Sequence, residues 1–439
     1  MNIKRGILLL LIASSFKVAA QQRALTVEEI VVMALEKSYD VQLFRNTSLS
    51  SNTDARNAKG LFLPDVTLNG NRNFSSQDSR QTLANDSVVS KPNINQNGLQ
   101  GNAQLNWVVF DGLKMFATYN QLQAVAGVNQ TLLKNQMANT MAQVIGNYYN
   151  IVAQKQQLRA LTEQVAVSEE RIKLAERKLE VGTGIKTELL QAKLDQNAFR
   201  TSALQQEALI ATTKANLNQI SGSQLPDEFE VADTIILNLN LTIDEIFEGI
   251  ESTNPALIAA RGNIEVAKYN LKARRGDKFP VISLNTGYQF NRSESNTATS
   301  PFAPKGQRST SLNYGITASW ALLNNLVVTN ATQLARINLD RQQIIYEQQK
   351  GIAFNGARIA YANYDNARKT LAIEEENIKL ARENVSILLE TFKRGATTFI
   401  ELRTAQQSTI DAYSRLTAAR YNAKVSETEL LRLKGALLR

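Results

Sequence analysis

The segment KLEVGTGIKTELLQAK, Lys178 to Lys193, has a second version in TFKRGATTFIELRTAQ, Thr391 to Gln406. Gly182, Glu188, Leu189 and Ala192 recur as Gly395, Glu401, Leu402 and Ala405, each 213 positions further on. A turn repeated at constant displacement constrains the fold more than any local propensity, because it requires two copies of one plan. Earlier landmarks agree. LTVEEIVVMALEKSYDVQL from Leu25 matches LTIDEIFEGIESTNPALIA from Leu241, a displacement of 216 that still holds between GLFLPDVTLN, with Pro64, and GDKFPVISLN, with Pro280. After a connection three residues shorter in the second copy, the displacement of 213 pairs Trp107 with Trp320, and tryptophan to glycine spans 75 residues in both.

Each copy reads as a helix pair, two strands and a long helical hairpin. Residues 21–220 form the first repeat, with strands at about 64–75 and 98–110 and a hairpin turning at 182. Residues 241–439 form the second, with strands at about 280–291 and 310–322 and a turn at 395. Between them, 221–240 loses the helical period and reads as a linker. The strands rest on period two: Leu99, Gly101, Ala103, Leu105, Trp107 and Val109 alternate with Gln100, Asn102, Gln104 and Asn106, and Leu312 to Leu322 repeats the pattern.

Such runs of about ten residues suit a tilted membrane strand with a wet inner face, and also a half-buried soluble sheet. Four strands cannot close a barrel, and an open edge in hydrocarbon leaves backbone groups unpaired. The membrane reading therefore requires oligomerisation, with eight strands from two chains or twelve from three.

The seven prolines lie at 64, 92, 226, 255, 280, 301 and 304, leaving two long tracts free of them and rich in Ala, Gln, Leu, Lys and Glu. Leu158, Val165, Ile172 and Leu179 recur every seven residues, as do Leu371, Ile378, Val385 and Phe392. That spacing predicts long antiparallel coiled-coil hairpins.

The start MNIKRGILLLLIASSFKVAAQQ has the basic, apolar and small-residue regions of an export signal over 1–20. The formal charge of +9 includes Lys4, Arg5 and Lys17, and no acid precedes Gln21, so +6 remains once the signal is removed. Basic and acidic residues are mixed along the helices, which argues against nucleic-acid binding. With no cysteine and no histidine, the chain offers no disulfide, no thiol or imidazole catalysis and no His/Cys metal site. No cofactor, catalytic or metal site is expected.

Gly182-Thr183-Gly184 invites a phosphate-loop reading, but a helix rather than a strand precedes it and the second copy has Gly395-Ala396-Thr397. A glycine just past a helix end is instead a left-handed terminator. By this reading Gly182 and Gly395 are the required glycines, and Gly184 only loosens the restart. Thr398 and Glu401 have capping-box spacing. Glu188 and Glu401 serve either as N-terminal acids of the returning helices or, in an oligomer, as acidic rings that favour cations.

Together these features resemble the TolC-type outer-membrane efflux proteins. The resemblance rests on the duplicated plan, the Trp107-x-x-Phe110-Asp111-Gly112 strand end and the two glycine turns followed by Glu-Leu and Ala. It implies a mainly α chain with membrane β structure, internally duplicated. A homotrimer would close a twelve-stranded barrel continued by an α-helical tunnel into the periplasm. It also implies a periplasmic adaptor, an inner-membrane pump and outer-membrane lipid as partners. Gly182, Thr183, Gly184, Gly395, Ala396 and Thr397 would form the adaptor-facing tips. Glu188, Phe392, Glu401 and Thr404 would line or latch the aperture, and Trp107 and Trp320 would anchor the barrel. Thr404 and Thr397 stand where better-known members carry an acid and an arginine, and Phe392 replaces a tyrosine. The expected function is a passive exit duct for efflux or type I secretion; the alternative is a soluble periplasmic coiled-coil scaffold or adaptor.

Overall fold

A computed structural model describes residues 24–226, 229–298 and 304–438; the expected export signal lies outside them. The described chain divides into two compact units. One gathers the described parts of 1–46, 130–258 and 349–439, and the other comprises 47–129 and 259–348, apart from 299–303.

The elements follow the duplication. Helices α1 (Val27–Lys37) and α2 (Tyr39–Asn57) lead through a short 3-10 turn to strands β1 (Asp65–Thr82) and β2 (Val88–Phe110). The first hairpin is α3 (Lys114–Glu180) and α4 (Lys186–Ile220). The second copy supplies α5 (Ile243–Phe247), α6 (Ile250–Thr253), α7 (Pro255–Gly276), β3 (Val281–Ser295) and β4 (Gly306–Ser319), then α8 (Val327–Lys393) and α9 (Phe399–Lys434). The long helices α3 and α8 are both 67 residues. Related residues open the first helix of each copy: Thr26 accepts from the Glu29 N–H at 3.2 Å, and Thr242 from the Glu245 N–H at 3.4 Å.

In the first unit, the described residues of the segment connecting the copies form no helix and are held by two buried tyrosines. Tyr148 donates its hydroxyl to Leu25 O (2.9 Å) and accepts the Ala232 N–H (3.0 Å). Tyr364 does the same with Asn238 O (2.8 Å) and the Leu241 N–H (3.2 Å). Burial raises the pKa of both phenols, which keeps them neutral donors. Around them Ile30, Val144, Ile151 and Leu217 form one apolar cluster, and Ile246, Ile250, Ala357 and Leu430 another. Lys155 adds an ion pair to Glu230 at 2.6 Å and holds that carboxyl below its ordinary pKa.

The second unit carries a four-stranded antiparallel sheet of order β1-β2-β3-β4. The register brings Val66 opposite Leu105, Trp107 opposite Leu284, and Leu284 opposite Ile316, all on one face. Asn69, Asn102, Asn285 and Thr317 line the other face, where the Asn69 amide donates to the Asn102 side-chain oxygen (3.0 Å) and the Asn285 amide to the Thr317 hydroxyl (2.8 Å). A row of guanidinium groups crosses the apolar face, with Arg72 and Arg292 both paired to Leu99 and Arg308 paired to Arg292, and Phe74 lies beyond it on β1. Leu68, Phe74, Leu312, Tyr314 and Ile316 are exposed on that apolar face, and the outer edges of β1 and β4 have no strand partner among the described residues.

Strand β2 begins at Val88, ten residues before the strand expected from alternation. The β3 register begins only at Gln96, so residues 88–91 and 94–95 find their strand partners in β1, and a bulge at Pro92 and Asn93 disrupts their period. Asn93, in a left-handed conformation (φ 54°), donates its N–H to Asp78 Oδ1 at 2.7 Å. Backbone pairing extends this strand where side-chain alternation does not reveal it. At the other end of the sheet, Trp107 Nε1 donates to Phe62 O (2.9 Å) and Trp320 Nε1 to Lys278 O (3.2 Å). Each indole thus ties a strand end to the segment that opens its partner strand. No helix among the described residues is long and apolar enough to cross a membrane.

Candidate functional site

The two hairpin turns lie in the first unit, and both are built by a glycine in the left-handed region. Gly182 has φ 76° and Gly395 φ 75°. The Gly182 N–H donates to Leu179 O (3.1 Å) and the Thr183 N–H to Lys178 O (2.9 Å); Gly395 to Phe392 O (3.1 Å) and Ala396 to Thr391 O (2.9 Å) repeat the pattern. This is a Schellman closure, which satisfies the last carbonyls of α3 and α8.

Beyond the glycine the turns diverge. In the first, the Gly184 N–H also donates to Lys178 O (2.8 Å). A Cβ on Gly184 would stand 2.7 Å from Leu179 N and 2.8 Å from Lys178 C, too close for any side chain. The ranking that made Gly184 a loosening residue is therefore corrected: its backbone is pressed against the helix it leaves. Gly182 has open space around its Cβ position and is needed for its dihedral alone. The first return helix has Ile185 at its N-cap position with no side-chain cap, and both Val181 and Ile185 are exposed.

In the second turn, Thr398 accepts the Glu401 N–H (3.2 Å) while Glu401 Oε2 accepts the Thr398 N–H (2.8 Å) and the hydroxyls of Thr397 (2.5 Å) and Thr398 (2.9 Å). The Thr397 hydroxyl, then the Thr398 N–H and hydroxyl, lower the Glu401 pKa and keep it ionised. Within one chain this carboxylate serves the cap. Glu188 is half-buried on the first turn of α4. Thr404 is exposed, its hydroxyl donating to Ile400 O at 2.9 Å.

Phe392 is held inside the chain. It is buried (4% exposed) with Ile172, Ala192, Phe399 and Leu402, and Lys178 Nζ lies 4.2 Å from its ring centroid. The phenylalanine read as an aperture candidate packs one hairpin against the other, because its heptad position faces α3 and α9.

Sequence reasoning missed the polar group behind this cluster. Arg171, 2% exposed, donates to Asp195 Oδ2 (2.5 Å) and Gln406 Oε1 (2.6 Å) and stacks its guanidinium 4.6 Å from the Phe399 ring centroid. Gln191 also donates to Asp195 (2.8 Å), and Arg403 approaches the same carboxylate at 3.2 Å. Three helices are joined by one buried carboxylate. The available signal was asymmetry: the positions matching Arg171 and Asp195 in the second copy are Asn384 and Ser408.

The family model for outer membrane efflux proteins matches residues 30–223 and 248–436, which covers both repeats. The chain belongs to the outer membrane efflux protein family. It is a channel of the outer membrane that extends into the periplasm, and not an enzyme. The scaffold alternative is thereby set aside. Among curated relatives, the efflux protein BepC of Brucella suis is 24% identical over 347 residues, covering 76% of this chain and 71% of the relative. The alkaline protease secretion protein AprF of Pseudomonas aeruginosa is 21% identical over 389 residues, covering 86% and 78%. Two solved outer-membrane channels, OprN and CmeC of Campylobacter jejuni, each superpose over 93% of this chain with a TM-score of 0.77, at 16% and 14% identity. They cover 90% and 85% of those chains, and the likeness shows the shared efflux-protein fold.

Proposed function

We propose that three copies of this chain close a twelve-stranded barrel and a helical tunnel, a passive exit duct supplied by an inner-membrane pump through a periplasmic adaptor. The observation that supports this is the four-stranded sheet with a bare apolar face and two open edges. Such a sheet needs lipid on one face and further strands at both edges. Its other face, lined with Asn, Gln, Ser and Thr, suits a wet lumen.

In this reading the turns at Gly182-Thr183-Gly184 and Gly395-Ala396-Thr397 meet the adaptor, with exposed Val181 and Ile185 offering apolar contact at the first. Glu188, Glu401 and Thr404 line the aperture, and Phe392 supports it from behind. Trp107 and Trp320 fix the strand ends at the membrane boundary. The energy for transport comes from the partner pump.

The test is conductance of the purified protein in planar bilayers. A cation-preferring channel whose selectivity falls in Glu401→Gln is expected. A trimer that never conducts, even with both turns loosened, overturns the duct.

A further inference from the structure

The apolar face of the sheet carries positive charge at one level. Arg72 lies opposite Leu99, Leu99 opposite Arg292 and Arg292 opposite Arg308, so guanidinium groups from β1, β3 and β4 stand in a single row. All three side chains are exposed. An outward-facing arginine is costly in the middle of a bilayer and nearly free at its boundary, so the row marks an interface.

The register gives its height. Trp107 stands opposite Leu284, and Arg292 is eight residues further along β3. That is about 27 Å of strand, or about 20 Å of height at the tilt of a barrel strand. The apolar band of an outer-membrane barrel is about 25 Å tall, so the indole and the guanidinium row stand near its two edges. Between them Leu68, Tyr288, Leu312, Tyr314 and Ile316 are exposed on the same face. The tryptophan ends of β2 and β4 lead into α3 and α8, and no described helix is apolar enough to cross a membrane. Those helices therefore belong to the periplasm, and the arginine row to the outer leaflet.

The row is short of counter-charge. Arg292 and Arg308 are direct cross-strand partners, and like charges in that position repel. Arg292 donates from Nε (2.9 Å) and Nη2 (2.5 Å) to Glu294 Oε1. Among the described residues, Arg72 and Arg308 meet no carboxylate. Arg72 donates to Asn97 Oδ1 (3.4 Å) and lies 4.9 Å from the Phe74 ring centroid, and Arg308 lies 5.4 Å from that of Phe290. A ring holds a guanidinium by its plane and leaves N–H edges free for an anion. Three guanidinium groups against one carboxylate leave a charge of +2. A phosphate monoester, at about −1.5 to −2, matches it.

We propose that the row is a seat for a phosphorylated lipid of the outer leaflet. Arg292 and Arg308, about 5 Å apart across the strands, grip one phosphate monoester. Arg72, about 10 Å from Arg292, meets a second. The acyl chains lie along the apolar band below, which free phosphate cannot use. Glu294 competes for Arg292 and limits the grip. The seat rests on the barrel reading above, because only a sheet set in the membrane brings acyl chains to this face.

The full-length protein is purified in detergent, and bound lipid is read by native mass spectrometry. The probes are diphosphoryl lipid A, the same lipid stripped of both phosphates, and inorganic phosphate. The diphosphoryl form should bind about tenfold more tightly than the stripped form, and millimolar inorganic phosphate should not displace it. Arg292→Gln with Arg308→Gln should remove most of that preference, with light scattering checking that the oligomer persists. Glu294→Gln should strengthen binding several-fold, an outcome that misfolding cannot imitate. Equal binding of the two lipid forms, or a double variant that binds as the native chain does, overturns the seat and leaves the barrel standing. Displacement by inorganic phosphate overturns the lipid as occupant, and weaker binding in Glu294→Gln overturns the competition assigned to that acid. A native chain that fails to insert into vesicles containing lipid A overturns the barrel and the seat with it.

Discussion

The two hairpin turns begin alike and are secured differently. Both close with a left-handed glycine and the same pair of backbone hydrogen bonds. The first then relies on close backbone approach at Gly184 and on a buried charge, Asp195, thirteen residues from Gly182. The second relies on a side-chain cap, in which Thr397, Thr398 and Glu401 satisfy the start of α9. Duplicated sequence thus preserves the turn, while the means of holding it has diverged with the neighbours each copy meets.

The largest test of that difference is Asp195→Ala. It leaves Arg171 buried without its carboxylate, which costs roughly 3–5 kcal/mol. We expect a matching drop in the denaturant midpoint. Its second-copy counterpart Ser408→Ala should change the midpoint little. Equal effects at both positions would erase the contrast.

Next come the glycines. Gly184→Ala forces a methyl against the α3 backbone and should cost about 1–3 kcal/mol, with faster amide exchange across 178–188. Gly182→Ala and Gly395→Ala meet only the left-handed penalty of about 1–2 kcal/mol each. Ala at 184 should therefore be at least as damaging as at 182, and milder behaviour would restore the opposite ranking.

The smallest effect is at the cap. Thr398→Ala should cost about 1 kcal/mol, read as faster exchange at the first amides of α9 and no change in α4. Because folding lowers the Glu401 pKa, its contribution is present above the ordinary carboxylate range and lost as pH falls through the folded value. Exchange corrected for its intrinsic pH dependence should then show α9 fraying in acid before α4, and Glu401→Gln should remove the difference.

Much of the architecture is legible without coordinates, because it repeats locally. The constant displacements locate both turns, period two separates the faces of β2 and β4, and seven-residue spacing anticipates α3 and α8. The left-handed requirement at Gly182 and Gly395 is likewise a property of a helix end.

What escaped the sequence depends on partners remote in the chain. Strand β2 extends to Val88 because β1 pairs with it, although Pro92 and Asn93 break its pattern. Phe392, an aperture candidate by resemblance alone, ends a seven-residue apolar stripe, and α3 and α9 close over it. Gly184 looks dispensable until the backbone of Lys178 and Leu179 is placed against it. Arg171 looks like one more helical cation until Asp195 and Gln406 meet it from two other helices. The sequence by itself therefore determined the duplication, the elements and the family, since periodicity and turn chemistry act over a few residues. Tertiary structure decided which side chains are buried together and which backbone atoms nearly touch, because those energies exist only once distant segments exclude water from one another.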